Sequence, residues 1–298
     1  MDSRDIHIEV PSIPQEEFLP KIFDLQKELI EDYIKIEKGK PYPVNVNTKE
    51  SQVMLKDFTS RIIEELAEGY ESLLLVDELF RKNGYKAYEG NGSEYLQILN
   101  HLQNANEEFA DAIHFMVELL IYLNIDVESI TSYLKYKYPE HIEESILPDP
   151  LIDIQKVGMY FIVKELNGPD VMPVAPLVGF DLLRPINKGW LSDSIMKGID
   201  INLLKGGSNY NASEYLHSYR EILWSITYHL NISRNFLRNK PWKQSQVFVN
   251  EQAYQEEVIN SFIYLMGFLA YLGLTPKDIF YIYYKKNQVN RFRIKSKY

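Results

Sequence analysis

The sequence predicts an all-α protein, a multi-helix bundle. Apolar residues recur at three- and four-residue spacing through long segments. No run of five or more residues alternates apolar and polar as a half-buried strand would. Helix stop signals also fall where the periodic segments end.

In chain order, Phe18–Lys38 carries Ile22, Leu25, Leu29 and Tyr33 at helical spacing, with Gly39 as the stop. Ser51–Asn83 is a second long helix, broken at Asn83-Gly84, and Glu94–Asn124 a third, closed by an asparagine able to serve as its C-cap. Asp126–Tyr138 is a shorter fourth, with Asp126 as N-cap and Glu128 in the first turn. From Pro139 to about Ser208 the chain is rich in proline and glycine, as in NGPDVMPVAPLVG. This stretch reads as a linker or insert that could still hold a helix over Gln155–Leu166. Helices resume at Ala212–Arg238, Asn250–Leu272 and Pro276–Lys295, the last with Thr275 as N-cap and Pro276 in its first turn. The expected organisation is one domain over residues 1–298. A metal-binding half covers 1–140, an irregular insert 141–208, and a base- and phosphate-contacting half 209–298.

Sliding the chain by 149 residues places EEFADAIHFMVELLIYLNIDVESI, from Glu107, on EEVINSFIYLMGFLAYLGLTPKDI, from Glu256. Glu107, Glu108, Leu120, Tyr122, Leu123 and Ile130 recur without a gap. The alternative is two buried helices sharing a period by coincidence. A real repeat would set Asp111 against Asn260, so the second copy would lack one carboxylate.

The chain has 298 residues with formal net charge −10, which argues against a nucleic-acid-binding protein. It does not exclude a nucleotide enzyme, because a metal held by carboxylates reverses the sign that phosphates meet. There is no cysteine, so disulfides, thiolate nucleophiles and cysteine zinc sites are excluded. The N-terminus lacks the apolar run of a signal peptide. The longest apolar run, Ser261–Leu274, is shorter than the roughly 20 residues that span a bilayer and reads as a core helix. Neither a nucleic acid nor a membrane is expected as partner, and the expected location is the cytoplasm.

Two pairs of acids carry the chemistry. Glu65 and Glu68 are three apart, as are Glu108 and Asp111, so each pair projects from one helical face. Four carboxylates on neighbouring helices repel unless they hold protons or cations, and hard divalent ions take oxygen ligands. The plain alternative is a solvated acidic face. The flanks speak against it: Asp111 is followed by Ala112, Ile113, His114, Phe115 and Met116, and Glu65/Glu68 sit among Ile62, Ile63, Leu66 and Ala67.

The ExxE pair followed by EExxDxxHF resembles the all-α NTP pyrophosphatases, most closely the dimeric dUTPases. Further segments match in family order: Leu25-Gln26 in the opening helix, Leu237–Lys243 (LRNKPWK) like a basic stretch of phage members, and Lys286–Arg293 (KNQVNRFR) near the C-terminus. The resemblance implies that Glu65, Glu68, Glu108 and Asp111 hold Mg2+, with Mn2+ as a possible substitute, and that Glu65 orients or deprotonates the attacking water. It implies base contacts from Gln26 and Asn290 and phosphate contacts from Lys286 and Arg293. His114 faces the sugar or is a core histidine. Trp242 and Lys243 are further substrate candidates, with a core role open for the tryptophan. The implied reaction is hydrolysis of a nucleoside triphosphate, dUTP first, to monophosphate and pyrophosphate by a homodimer, as in phage-like relatives. The substrate could instead be dCTP, dTTP or a broader set. Lys297 stands where the family has glycine, and the stretch after the first carboxylate pair lacks the family's Trp-Lys-rich sequence. These departures leave the ligands in place and bear on base choice.

Two other classes compete. A non-catalytic helical interaction protein on this scaffold would have lost ligands, yet all four are present. A di-iron carboxylate bundle wants Glu-x-x-His pairs; Glu65 and Glu118 have no histidine three residues later, whereas Asp111 has His114.

Overall fold

The computed structural model describes residues 8–36, 38–83, 93–142, 149–167, 212–238 and 249–296. Among them are eight α-helices and no strand, so the fold is all-α. They are α1 (Phe18–Lys35), α2 (Lys49–Asn83), α3 (Ser93–Tyr122), α4 (Val127–Lys137), α5 (Pro150–Asn167), α6 (Ala212–Ser233), α7 (Glu251–Tyr271) and α8 (Pro276–Lys295). α1 ends before Gly39, because the Lys38 and Gly39 N–H groups both turn back to the Tyr33 carbonyl. The stretch read as irregular after Pro139 contributes α5, which starts at Pro150 with the Asp149 carboxylate accepting from the N–H groups of Leu151 and Ile152. Residues 143–148 and 168–211 lie outside the described residues, as do Trp242 and Lys243.

The repeat is visible in the backbone. Asn124 after α3 has φ 58° and Gly273 after α7 has φ 89°, equivalent positions under the 149-residue shift. Ile125 N–H donates to the Leu120 carbonyl and Leu274 N–H to that of Leu269, both at 2.9 Å, the bond of a Schellman turn. The next helix starts alike. Asp126 accepts from the Ser129 N–H at 2.8 Å, and Thr275 from the Asp278 N–H at 3.3 Å within a capping box. The sequence repeat is therefore a repeated helix–turn–helix.

Packing follows the same duplication. α2 lies along α3 as α6 lies along α7, and α1 meets α3 as α5 meets α7. The last helix of each half crosses over: α8 packs on α1 and α3, and α4 reaches α5 and α7. α2 meets α6 across the halves, where Arg234 donates to the Lys56 carbonyl at 2.6 Å and to the Ser60 hydroxyl. Phe109 and Phe268 meet edge to face at 5.4 Å in the shared core, where burial of such rings is the main stabilising effect. Two glycines bring α5 and α7 together: a Cβ on Gly158 or Gly267 would strike the other helix's backbone. Among the described residues no single helix is long and apolar enough to cross a membrane.

Candidate metal centre

α2 and α3 run side by side, and their contact sets the site. Gly69 lies one residue past Glu68, and its missing side chain leaves room for the Phe109 ring, which follows Glu108. This close approach brings the two acidic pairs together. Carboxylate oxygens of Glu65, Glu68 and Glu108 lie within 4.8 Å of one another, Glu68 exposed and the other two half-buried. Asp111, one turn further along α3, is ion-paired at 2.5 Å with Lys286 of α8.

The electrostatics are those of acids with too little positive charge. Burial first, then the charge of Asp111 and its neighbours, pushes Glu65 up to about 8. It shares a proton with Glu108, itself raised chiefly by burial. Asp111 is raised by burial and pulled back by Lys286. The donors are all carboxylate oxygens, at a spacing one cation could bridge, with one side open to solvent. That set fits a hard ion such as Mg2+ or Mn2+, which keeps part of its hydration shell for phosphate oxygens.

The remaining expected residues divide into two groups. Lys286 sits at the acids. Arg293, exposed two turns on, acts electrostatically on both Asp111 and Tyr33, so the cations of α8 border the carboxylates. Asn290 is half-buried between them in sequence. Gln26 and His114, by contrast, are buried at 1% and 4% exposure, and their polar atoms are engaged within the protein. Gln26 Nε2 donates to Glu118 at 3.1 Å, and its Oε1 accepts from the Tyr283 hydroxyl at 2.7 Å. His114 Nδ1 lies 2.8 Å from the same oxygen, Nε2 lies 3.3 Å from the Tyr283 carbonyl, and the ring stacks on Tyr283 at 4.1 Å. Burial drives His114 down to about 3, so it stays neutral. Of the two roles open to His114, the core one matches this geometry.

Four neighbours escaped the sequence reading. Glu118, Phe115 and Tyr33 are half-buried, Phe115 and Glu118 on the face of α3 that carries Asp111 and Tyr33 acted on by the charges of both Asp111 and Glu118, and Arg61 projects over the Phe115 ring at 5.5 Å from its centroid. Glu118 had a signal: it is a lone charge in the apolar run MVELLIYL, the criterion that singled out Asp111. The others had none, since their relevance depends on how α1 and α2 lie against α3.

No family of proteins, no curated relative and no solved structure matches this chain.

Proposed function

We propose that this protein is a magnesium-dependent nucleoside triphosphate pyrophosphohydrolase, with dUTP as the first substrate to test and dCTP or dTTP as alternatives within the same chemistry. The observation that carries the reading is the juxtaposition of the Glu65/Glu68/Glu108 cluster with the Asp111–Lys286 pair. Anionic ligands for a cation and a cation for phosphate stand side by side, as a bound triphosphate requires.

Glu65, Glu68, Glu108 and Asp111 would hold Mg2+, which when bound neutralises phosphate charge and favours a hydroxide-like nucleophile. The chain's own groups do the rest. Glu65, hydrogen-bonded to Glu108 in the metal-free cluster, accepts the proton of the attacking water once the cation has displaced the proton it carries. Lys286 shifts from Asp111 to the substrate phosphates once the acids have a stronger counter-ion, and Arg293 adds charge at the same end. Attack on the α-phosphate leaves pyrophosphate. The resemblance brings with it a cytoplasmic homodimer, for which exposed Trp224 and Tyr228, one turn apart on α6, offer an apolar surface.

The test is to incubate the purified protein with each common dNTP, with and without Mg2+, and to separate the products. Magnesium-dependent pyrophosphate and dUMP, lost in Glu108→Gln, support the reading. Release from dCTP or dTTP keeps the chemistry and changes the substrate. No turnover of any nucleotide refutes it.

A further inference from the structure

Asp111 and Glu118 are seven residues apart on α3, so they share a face and stand ~10.5 Å apart along the axis, with Phe115 between them. Tyr33 of α1 feels the charges of Asp111, Glu118 and Arg293 together, so it lies between the two ends. A nucleotide with its phosphates at the acids and Lys286 would lay its base along this stripe toward Glu118.

The Glu118 carboxylate is held as an acceptor: Gln26 Nε2 donates to it at 3.1 Å and the Tyr122 hydroxyl donates as well. Tyr122 is fixed in turn by the Lys40 N–H at 3.5 Å. No cation is ion-paired to Glu118 among the described residues. Arg61, whose charge acts on Glu118, has its Nε on Asp57 at 2.9 Å. Glu118 thus keeps acceptor capacity and some exposure, while Gln26 and His114 behind it are buried.

Resting on the proposed pyrophosphohydrolase reading, we propose that Glu118 is the specificity-determining residue of this site and reads the pairing edge of a pyrimidine. Ionised, it accepts from the exocyclic amino group of cytosine. Protonated, it donates to the 4-carbonyl of uracil. The preference between the two substrates therefore follows the protonation of one group. Burial brings Glu118 up to about 7, inside the assay range. Of the groups facing it, Tyr122 is held at about 12, Tyr33 and Tyr283 above 10 and His114 near 3, all outside that range, and Arg61 is the facing cation. The phosphates and metal ligands are common to both substrates and cancel in their ratio.

The experiment measures kcat/KM for dCTP and dUTP with Mg2+ from pH 6 to pH 8, alongside titration of dCMP and dUMP into the metal-free protein. The expected result is a dCTP-to-dUTP ratio that rises with pH, up to about tenfold per unit around the Glu118 midpoint, in the unaltered protein. In Glu118→Gln, with the same circular dichroism and melting temperature, the ratio should be flat while hydrolysis remains magnesium-dependent. A pH-independent ratio in the unaltered protein, or an unchanged profile in Glu118→Gln, overturns the assignment while leaving the hydrolase reading intact. Failure of the protein to bind either monophosphate or to hydrolyse either triphosphate overturns both.

Discussion

The same helix–turn–helix occurs twice, and its polar positions meet opposite ends. In the first copy Glu108 stands in a cluster with Glu65 and Glu68, and Asp111 faces Lys286 from the other half's last helix. In the second copy the equivalent of Glu108 is Glu257, and it is bonded at 2.6 Å to His229 of α6, whereas Glu108 meets Glu65 of α2. The equivalent of Asp111 is Asn260, which accepts from the Tyr133 hydroxyl at 3.0 Å. The equivalent of Lys286 is Lys137, drawn to Glu256 at 3.9 Å. One site concentrates like charges that call for a cation. The other pairs each acid with a base or a neutral partner. A histidine beside the glutamate and an asparagine in place of the aspartate leave the second contact self-satisfied, where the first gathers carboxylates.

The largest difference between the copies should appear in catalysis. Glu108→Gln removes a ligand and is expected to lower kcat/KM on the best nucleotide by about a hundredfold or more. Glu257→Gln should leave it within about twofold. Equal losses in a side-by-side assay would mean that both copies take part.

The next effect concerns packing. Gly267→Ala puts a methyl group into the backbone of Gly158, which no rotamer change can relieve. It should cost about 3 kcal/mol or more in a denaturant titration. Gly69→Ala meets the Phe109 ring, a side chain that can tilt, so the loss should be smaller. It should, however, spread α2 from α3 and weaken magnesium binding. Comparable metal affinity in Gly69→Ala and the parent would separate the helix contact from the metal centre.

Lysine substitutions sharpen the contrast at lower energy. Lys286→Met leaves Asp111 without its counter-charge at a site where both side chains are under a fifth exposed, and should destabilise the metal-free protein by about 1–3 kcal/mol. Added Mg2+ should recover part of that. Lys137→Met breaks a longer, more exposed pair and should change stability by under about 0.5 kcal/mol. Thermal melts of both variants with and without Mg2+ decide the point.

The smallest effect is a pH slope. Glu118 and metal-free Glu65 have folded values above their unfolded ones, so the folded chain binds more protons between about pH 4.5 and 8. Stability from these groups is present at the acid end of that window and lost as pH rises through it, by at most about 1.4 kcal/mol per unit for each group. Glu118→Gln should remove its share of the slope below about pH 7, and saturating Mg2+ the share of Glu65, which extends to about pH 8. A melting temperature that rises with pH over this range would contradict both assignments.

Sequence alone determined the helices, because periodicity, caps and stops are local: Asp126, Thr275-Pro276 and Asn124 occupy the positions their chemistry suits. It also determined which acids could act as pairs, since i, i+3 spacing on a helix settles a common face. The repeat was legible through the shared register of α3 and α7. Tertiary structure decided what these residues meet. The closeness of Glu65 to Glu108 depends on α2 and α3 approaching at Gly69, and Lys286 reaches Asp111 because α8 crosses to the opposite half. Gln26 and His114, expected at the substrate, are buried against Glu118 and Tyr283, leaving Glu118 as the half-buried acid of that group. Spacing along a chain fixes the direction of a side chain within its own helix. Its neighbours across helices, and so its charge and exposure, are fixed by packing between segments far apart in sequence.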